Sequence, residues 1–152
     1  MIKVTKFGGS SLASASQFKK VADIILADET RRYVVPSAPG KRFPEDVKVT
    51  DMLYACYKAA VKGQDFEKKF DEIKERYNGI IAELGIDLSL DEQYENIKAG
   101  FKGRAGRDYA ASRGEYLNGI ILAKYIGYEF IDAADLVFFN EDGTFNADMT
   151  NQ

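Results

Sequence analysis

Histidine is absent from the 152 residues. That absence removes Ser/His/Asp and Cys/His nucleophile–base arrangements and every histidine metal site, so most hydrolase chemistry loses its machinery. Tryptophan is absent as well, and cysteine occurs once, at Cys56. No internal disulfide can form, and Cys56 falls in an apolar helical pattern, which reads as a small core residue in a reducing compartment. No segment approaches the ~20 apolar residues of a membrane span. The start, Met1 to Lys6, has no long apolar stretch after its basic residues, so the chain is expected to be cytoplasmic, neither exported nor membrane-spanning. Charge of one sign is also missing. With 21 Lys+Arg against 24 Asp+Glu the net charge is -3, so no global positive field exists to hold nucleic acid or an anionic membrane. Any anion site must be local.

What is present is the composition of a globular domain: 45% hydrophobic and 30% charged residues, with 10 Phe and 9 Tyr to fill a core. Ile2 to Phe7 alternates apolar and polar residues and runs into Gly8-Gly9-Ser10-Ser11, predicting a short strand that ends in a glycine loop. A helix capped by Ser14 or Ser16 follows, with Phe18, Val21, Ala22 and Ile25 on one face. Arg32 to Val35 reads as a second buried strand, stopped by Pro36-Ser37-Ala38-Pro39-Gly40. This β-α-β order predicts parallel pairing with a right-handed crossover. Both loops then lie outside the strand carboxyl ends, where open α/β sheets bind ligands.

After a polar loop from Lys41 to Lys48, Thr50-Asp51 is predicted to cap a helix with Leu53, Cys56, Tyr57 and Ala60 inward, ended by Gly63. The stripe Phe66, Phe70, Ile73, Tyr77, Ile81 and Leu84 predicts a helix over about 65–84 closed by Gly85. Ser89 to Glu92 reads as a capping box opening a third helix through Tyr94 and Ile97. Three consecutive helices suggest a helical subdomain. Gly100 to Gly106 is expected to be a loop, 108–125 a helix weakened by Gly114 and Gly119, and Tyr128–Ile131 and Leu136–Phe139 strands, with a hairpin turn at Asp142-Gly143.

Four features stand at strand ends or helix starts: Lys6 to Ser11, Ser37 with its flanking prolines, Thr50-Asp51, and Ser112-Arg113-Gly114-Glu115. A double glycine after a strand lets backbone N–H groups approach a phosphate, the next helix N-terminus adds positive potential, and Lys6 can neutralise oxygens. The bland alternative is a tight strand-to-helix turn with a solvated lysine. The pattern is neither GxxxxGK[ST] nor GxGxxG. The basic run Lys98, Lys102, Arg104, Arg107 and Arg113 has no accompanying aromatic-platform motif and reads as a mobile, solvated loop rather than a nucleic-acid site.

In this order, Lys6-Phe7-Gly8-Gly9-Ser10-Ser11, Val34-Val35-Pro36-Ser37-Ala38-Pro39-Gly40-Lys41 and Ser112-Arg113-Gly114-Glu115 resemble the amino-terminal part of the catalytic domain in the aspartate kinase branch of the amino acid kinase family. Thr50-Asp51 and Phe130-Ile131-Asp132-Ala133 fit the same resemblance, which covers essentially the whole chain. It implies an α/β class with the three-layer α/β/α, carbamate-kinase-like fold, of which residues 1–152 are the N-terminal, amino-acid-binding part with a helical insert over about 50–100. It also implies transfer of the γ-phosphoryl of ATP, with Mg2+, to the β-carboxylate of L-aspartate, giving 4-phospho-L-aspartate in lysine, threonine and methionine synthesis.

By the resemblance, Lys6 contacts the transferred phosphoryl as the catalytic lysine, and Gly8, Gly9 and Ser10 bind the phosphates. Ser37, Thr50 and Glu115 contact aspartate, Glu115 pairing with its ammonium. A carboxylate acceptor is ionised at neutral pH, so the absence of histidine is compatible with this chemistry. The partners implied are L-aspartate and ATP, without nucleic acid, membrane or protein-held metal. Homodimerisation through an exposed sheet edge is a further expectation. The family's nucleotide-binding half, with its catalytic aspartate and substrate arginine, and its ACT regulatory domains lie farther along than Gln152. The 152 residues are therefore expected to be inactive alone and to hold no tightly bound cofactor. Two departures stand out: Pro36 where a β-branched residue is expected, and Arg113 where histidine is common. A glutamate 5-kinase or acetylglutamate kinase type, and a non-catalytic anion-binding α/β module, are the competing readings.

Overall fold

The computed structural model describes residues 1–137, 139–142 and 144–151. Strand β1 (Lys3–Phe7) and strand β2 (Arg31–Pro36) pair in parallel, and helix α1 (Ala15–Leu26) makes the crossover between them. The alternation of β1 sets one face outward: Val4 pairs with Tyr33 and Lys6 with Val35, and Val4, Tyr33 and Val35 are 69%, 57% and 49% exposed. Phe7 and Val34 point the other way and pack on the core. Among the described residues, that second face is the one the helices cover.

Helix α1 buries Phe18, Val21, Ala22 and Ile25, the stripe its periodicity predicted. Ser14 takes the N-cap position, but its hydroxyl bonds Ser16 Oγ at 3.0 Å rather than a backbone N–H. Helices α2 (Val49–Val61), α3 (Glu67–Leu84), α4 (Asp91–Lys102) and α5 (Arg107–Ile126) follow. All five share one core built on Phe18, Leu53, Phe70, Ile73, Tyr77, Tyr94, Leu117 and Ile121. Burying each such side chain contributes about 1.5–3 kcal/mol. Edge-to-face ring pairs Phe66–Phe101 at 5.7 Å and Phe70–Tyr94 at 6.2 Å join α3 to α4. Two short turns complete the chain, a 3-10 turn at Ala133–Asp135 and helix α6 (Ala147–Thr150).

Several sequence expectations are corrected. Thr50 and Asp51 lie in the first turn of α2, whose N-cap is Lys48, and the buried face is Val49, Leu53, Cys56 and Ala59. The capping box is displaced: Leu90 is the N-cap of α4, and Ser89 Oγ accepts only a long bond from the Asp91 amide, 3.3 Å. Gly100 belongs to α4 rather than to a loop, and its lack of a side chain lets the Tyr109 ring pack on the helix, since a Cβ there would stand 2.6 Å from that ring. Residues 128–132 are not a strand. Tyr128 donates to the Arg31 carbonyl at 3.0 Å and Phe130 meets Tyr116 edge-to-face at 5.7 Å, so both side chains are engaged, and among the described residues no strand lies alongside to complete a ladder. In the second predicted strand, Leu136 and Val137 are non-strand and Phe139 makes a single antiparallel bridge to Phe145. Phe138, and Gly143 of the predicted hairpin turn, lie outside the described residues. No helix of the described residues is long and apolar enough to cross a membrane.

Candidate functional site

The two glycine loops lock together. Beyond β1, Gly8 leads into a 3-10 turn at Gly9–Leu12, and the Gly40 amide donates to the Gly9 carbonyl at 2.8 Å. The backbones are too close for side chains. A Cβ on Gly9 would meet the Ala38 carbonyl at 2.9 Å, and one on Gly40 would meet Gly9 C at 2.7 Å. The Ser37 amide donates to the Phe7 carbonyl at 3.0 Å, adding one bond to the parallel ladder. The Val49 amide donates to the Pro39 carbonyl at 3.1 Å, which brings the first turn of α2, with Thr50, against the same loop.

Helix α5 arrives from the other side. Gly114 lets it approach so closely that an added Cβ would stand 2.6 Å from Ala38 Cβ. Tyr77 Oη donates to the Gly114 carbonyl at 2.9 Å, and Asn118 Nδ2 donates to the Ser37 carbonyl at 2.7 Å. Glu115 follows Gly114 directly. All four sequence-predicted segments, carrying Lys6, Gly8 to Ser10, Ser37, Thr50 and Glu115, are thus bonded to, or in contact with, the 37–40 turn or its immediate neighbours.

Lys6 and Glu115 are exposed, and neither forms an ion pair among the described residues. Each is therefore an uncommitted charge that a ligand group of opposite sign could meet. The helix-dipole contribution expected behind the glycines is displaced, since the 3-10 turn intervenes and α1 begins only at Ala15. No group of three His, Cys, Asp or Glu side chains among the described residues could hold a metal ion.

Two polar residues of this region escaped the sequence reading. Asn118 is fully buried, and its Oδ1 has no partner. A lone amide on the apolar face of Leu117 and Ile121 was the available signal. Arg76 lies beside Ile73 and Tyr77 on the buried stripe of α3. A cleft of about 630 Å3 lies behind the loops, walled by Ala13, Arg42, Asp46, Asp51, Glu75 and Arg76, and contains none of the predicted site residues.

The basic run is not a mobile loop. Lys98 is buried on α4 and pairs with Glu95 at 2.9 Å and Glu67 at 3.2 Å. Arg107 stacks on Tyr54 at 4.8 Å, and Arg113 lies over the Tyr109 and Tyr116 rings at 4.7 and 4.5 Å. In the 41–48 loop, Arg42 clamps Asp46 through bonds of 2.6 and 2.9 Å, which hold that carboxyl well below the usual carboxylate range.

Residues 1–151 match the model of the amino acid kinase family. Aspartokinase 3 of Bacillus subtilis is 36% identical over 155 residues, covering 93% of this chain and 34% of its own. The crystal structure of aspartate kinase from Clostridium acetobutylicum superposes with a TM-score of 0.93 at 51% identity, over 98% of this chain and 34% of that one. Escherichia coli aspartokinase III, crystallised with aspartate and ADP, shares the fold with a TM-score of 0.78 at 23% identity, over 99% of this chain and 36% of that one. The chain thus spans about a third of the length of these relatives.

Proposed function

The chain belongs to the amino acid kinase family, and on that premise we propose that it forms the amino-acid-binding part of an aspartate kinase. The observation that carries this reading is the convergence of the Lys6–Ser10 loop, Ser37, Thr50 and Glu115 on one turn, in a chain whose relatives are named aspartokinases. Residues 1–152, including the helical segment over about 50–100, supply the acceptor side. Further chain supplies the nucleotide-binding half and ACT regulatory domains, and packs on the bare sheet face of Val4, Tyr33 and Val35. The enzyme works in the cytoplasm.

In the proposed reaction, a β-carboxylate oxygen of L-aspartate attacks the γ-phosphorus of ATP. The bond from that phosphorus to the β–γ bridging oxygen breaks, and its electron pair leaves with ADP. The nucleophile is already ionised, so no base is needed. Catalysis rests on alignment and on neutralising charge. Lys6 Nζ meets the transferred phosphoryl, and Gly8, Gly9 and Ser10 offer N–H and hydroxyl donors to phosphate oxygens. Ser37 and Thr50 hold the acceptor, and Glu115 pairs with its ammonium, which selects amino acids over simple diacids. Mg2+ would come with the nucleotide, held on its phosphate oxygens, and would neutralise part of their charge.

The test is an ADP-release assay on the full-length enzyme with L-aspartate, L-glutamate and N-acetyl-L-glutamate. Turnover with L-aspartate alone is expected, and Lys6→Ala should lower kcat/KM by about 10²–10³-fold with its thermal transition unchanged. Preferential use of L-glutamate or its N-acetyl form would assign the chain to another branch of the family.

A further inference from the structure

We propose that Arg76 is a positioning residue of this site: one buried guanidinium on α3 sets the relative placement of three backbone segments, one in the β1–α1 connection and two in the β2–α2 connection, that carry or adjoin its substrate contacts. The side chain is only 4% exposed. Its Nη1 donates to the Val47 carbonyl at 2.7 Å, and its Nη2 donates to the Ala13 carbonyl at 3.2 Å and to the Gly40 carbonyl. The acceptors lie in two connections, Ala13 between β1 and α1, and Gly40 and Val47 toward the two ends of the segment between β2 and α2. Ala13 closes the 3-10 turn that carries Gly9 and Ser10, Gly40 closes the turn begun by Ser37, and Val47 lies three residues before Thr50. The three carbonyls are 63, 36 and 29 residues away from Arg76 in sequence, so no local secondary structure could impose their arrangement.

The chemistry points to organisation rather than to core filling. A buried charge is costly to desolvate, and an apolar side chain of similar length would fill the same volume more cheaply. The planar fork of arginine presents donors in several fixed directions, whereas a lysine ammonium is a single point on a flexible stem. Nor is the guanidinium simply half of an ion pair. Asp46 Oδ2 stands 3.8 Å from it and is already clamped by Arg42, which leaves the carbonyls as the close partners of Arg76. Phosphate contacts on the β1–α1 connection and acceptor contacts at the two ends of the β2–α2 connection must be aligned closely, and a misplacement of about 1 Å costs about 10²-fold in rate.

The role of Arg76 in turnover rests on the proposed aspartate kinase reading, while its loop-bridging role does not. Both are read in one experiment on full-length Arg76→Met and Arg76→Lys: hydrogen exchange resolved by segment, with kcat and KM measured well below the thermal transition. In Arg76→Met, exchange over residues 8–13, 37–42 and 45–50 should rise together while α4 keeps its protection, and kcat should fall by about 10–100-fold with a smaller change in KM. Arg76→Lys should recover part of both. The proposal is overturned if a folded variant has a lowered transition temperature yet keeps kcat and the exchange of all three segments within about two-fold of wild type, or if only one segment loosens. Should Arg76→Met fail to fold, Arg76→Lys decides by the same readings. A wild-type enzyme that ignores L-aspartate refutes the functional reading alone, because the exchange of the three segments still reports on Arg76.

Discussion

Replacing Gly114 by alanine separates a local helix effect from a site effect. At an exposed helix position the change would stabilise by about 1 kcal/mol, since alanine is the better helix former. Here the new Cβ would lie 2.6 Å from Ala38 Cβ and 3.4 Å from Leu53 Cδ1. Ala38 cannot swing aside, because its neighbours are tied to Phe7 and Gly9 and its Cβ is fixed to the backbone. α5 must therefore retreat from the 37–40 turn by close to an ångström, straining the Tyr77–Gly114 and Asn118–Ser37 bonds. Overpacking costs about 1–3 kcal/mol and each of the two weakened bonds about 1 kcal/mol, against about 1 kcal/mol gained, so a net destabilisation of about 2–4 kcal/mol is expected. Glu115 rides on the displaced helix turn while Ser37 stays, so kcat/KM for L-aspartate should fall by about 10²-fold, far more than the stability change alone explains. Denaturant titration and steady-state kinetics on the full-length enzyme measure the two effects. Increased stability with an unchanged KM would refute the close approach of α5 to this turn.

Three further outcomes follow from the same geometry. Asn118→Leu removes the donor to the Ser37 carbonyl but also an unpartnered buried Oδ1, so its stability should stay close to wild type while KM for L-aspartate rises by about 10-fold, measured by kinetics beside thermal melts. Asp46 has its pKa lowered from an ordinary 3.8 chiefly by its bond to Arg42. The unfolded chain therefore binds its proton first, and the stabilisation is complete above the ordinary value and is lost as pH falls toward the native one. Asp46→Asn should lower the transition temperature at neutral pH and converge with wild type in acid. Cys56 is fully buried and its thiol is pushed up to about 12 by desolvation; a thiol reagent at pH 8 should label it only at the rate of unfolding, and fast labelling of the native protein would contradict the packing of α2.

The β-α-β opening, the buried faces of α1 and α3 and the αL glycine that closes α3 were legible because they depend on local periodicity and backbone freedom. The 128–132 segment and Leu136 and Val137 misled for the opposite reason. β-Branched and aromatic residues there have strand character, but a strand needs a partner alongside, and their rings found Tyr116 and the Arg31 carbonyl instead. Gly114 and Gly119 looked like helix weaknesses. They are places where α5 meets Ala38 and Phe130, a reason visible only with the neighbour in place.

The sequence by itself determined the function classes that an absence of histidine forbids, the glycine loop after a first strand, and the residues that carry the family resemblance, since each rests on residue identity and spacing. Only the tertiary structure decided that Gly9 and Gly40 touch, that Asn118 holds the Ser37 carbonyl, and that one guanidinium on α3 bridges Ala13, Gly40 and Val47. Those contacts join residues as many as 81 positions apart. They exist because a buried donor or acceptor must find a partner wherever folding leaves one, and no local pattern records where that will be.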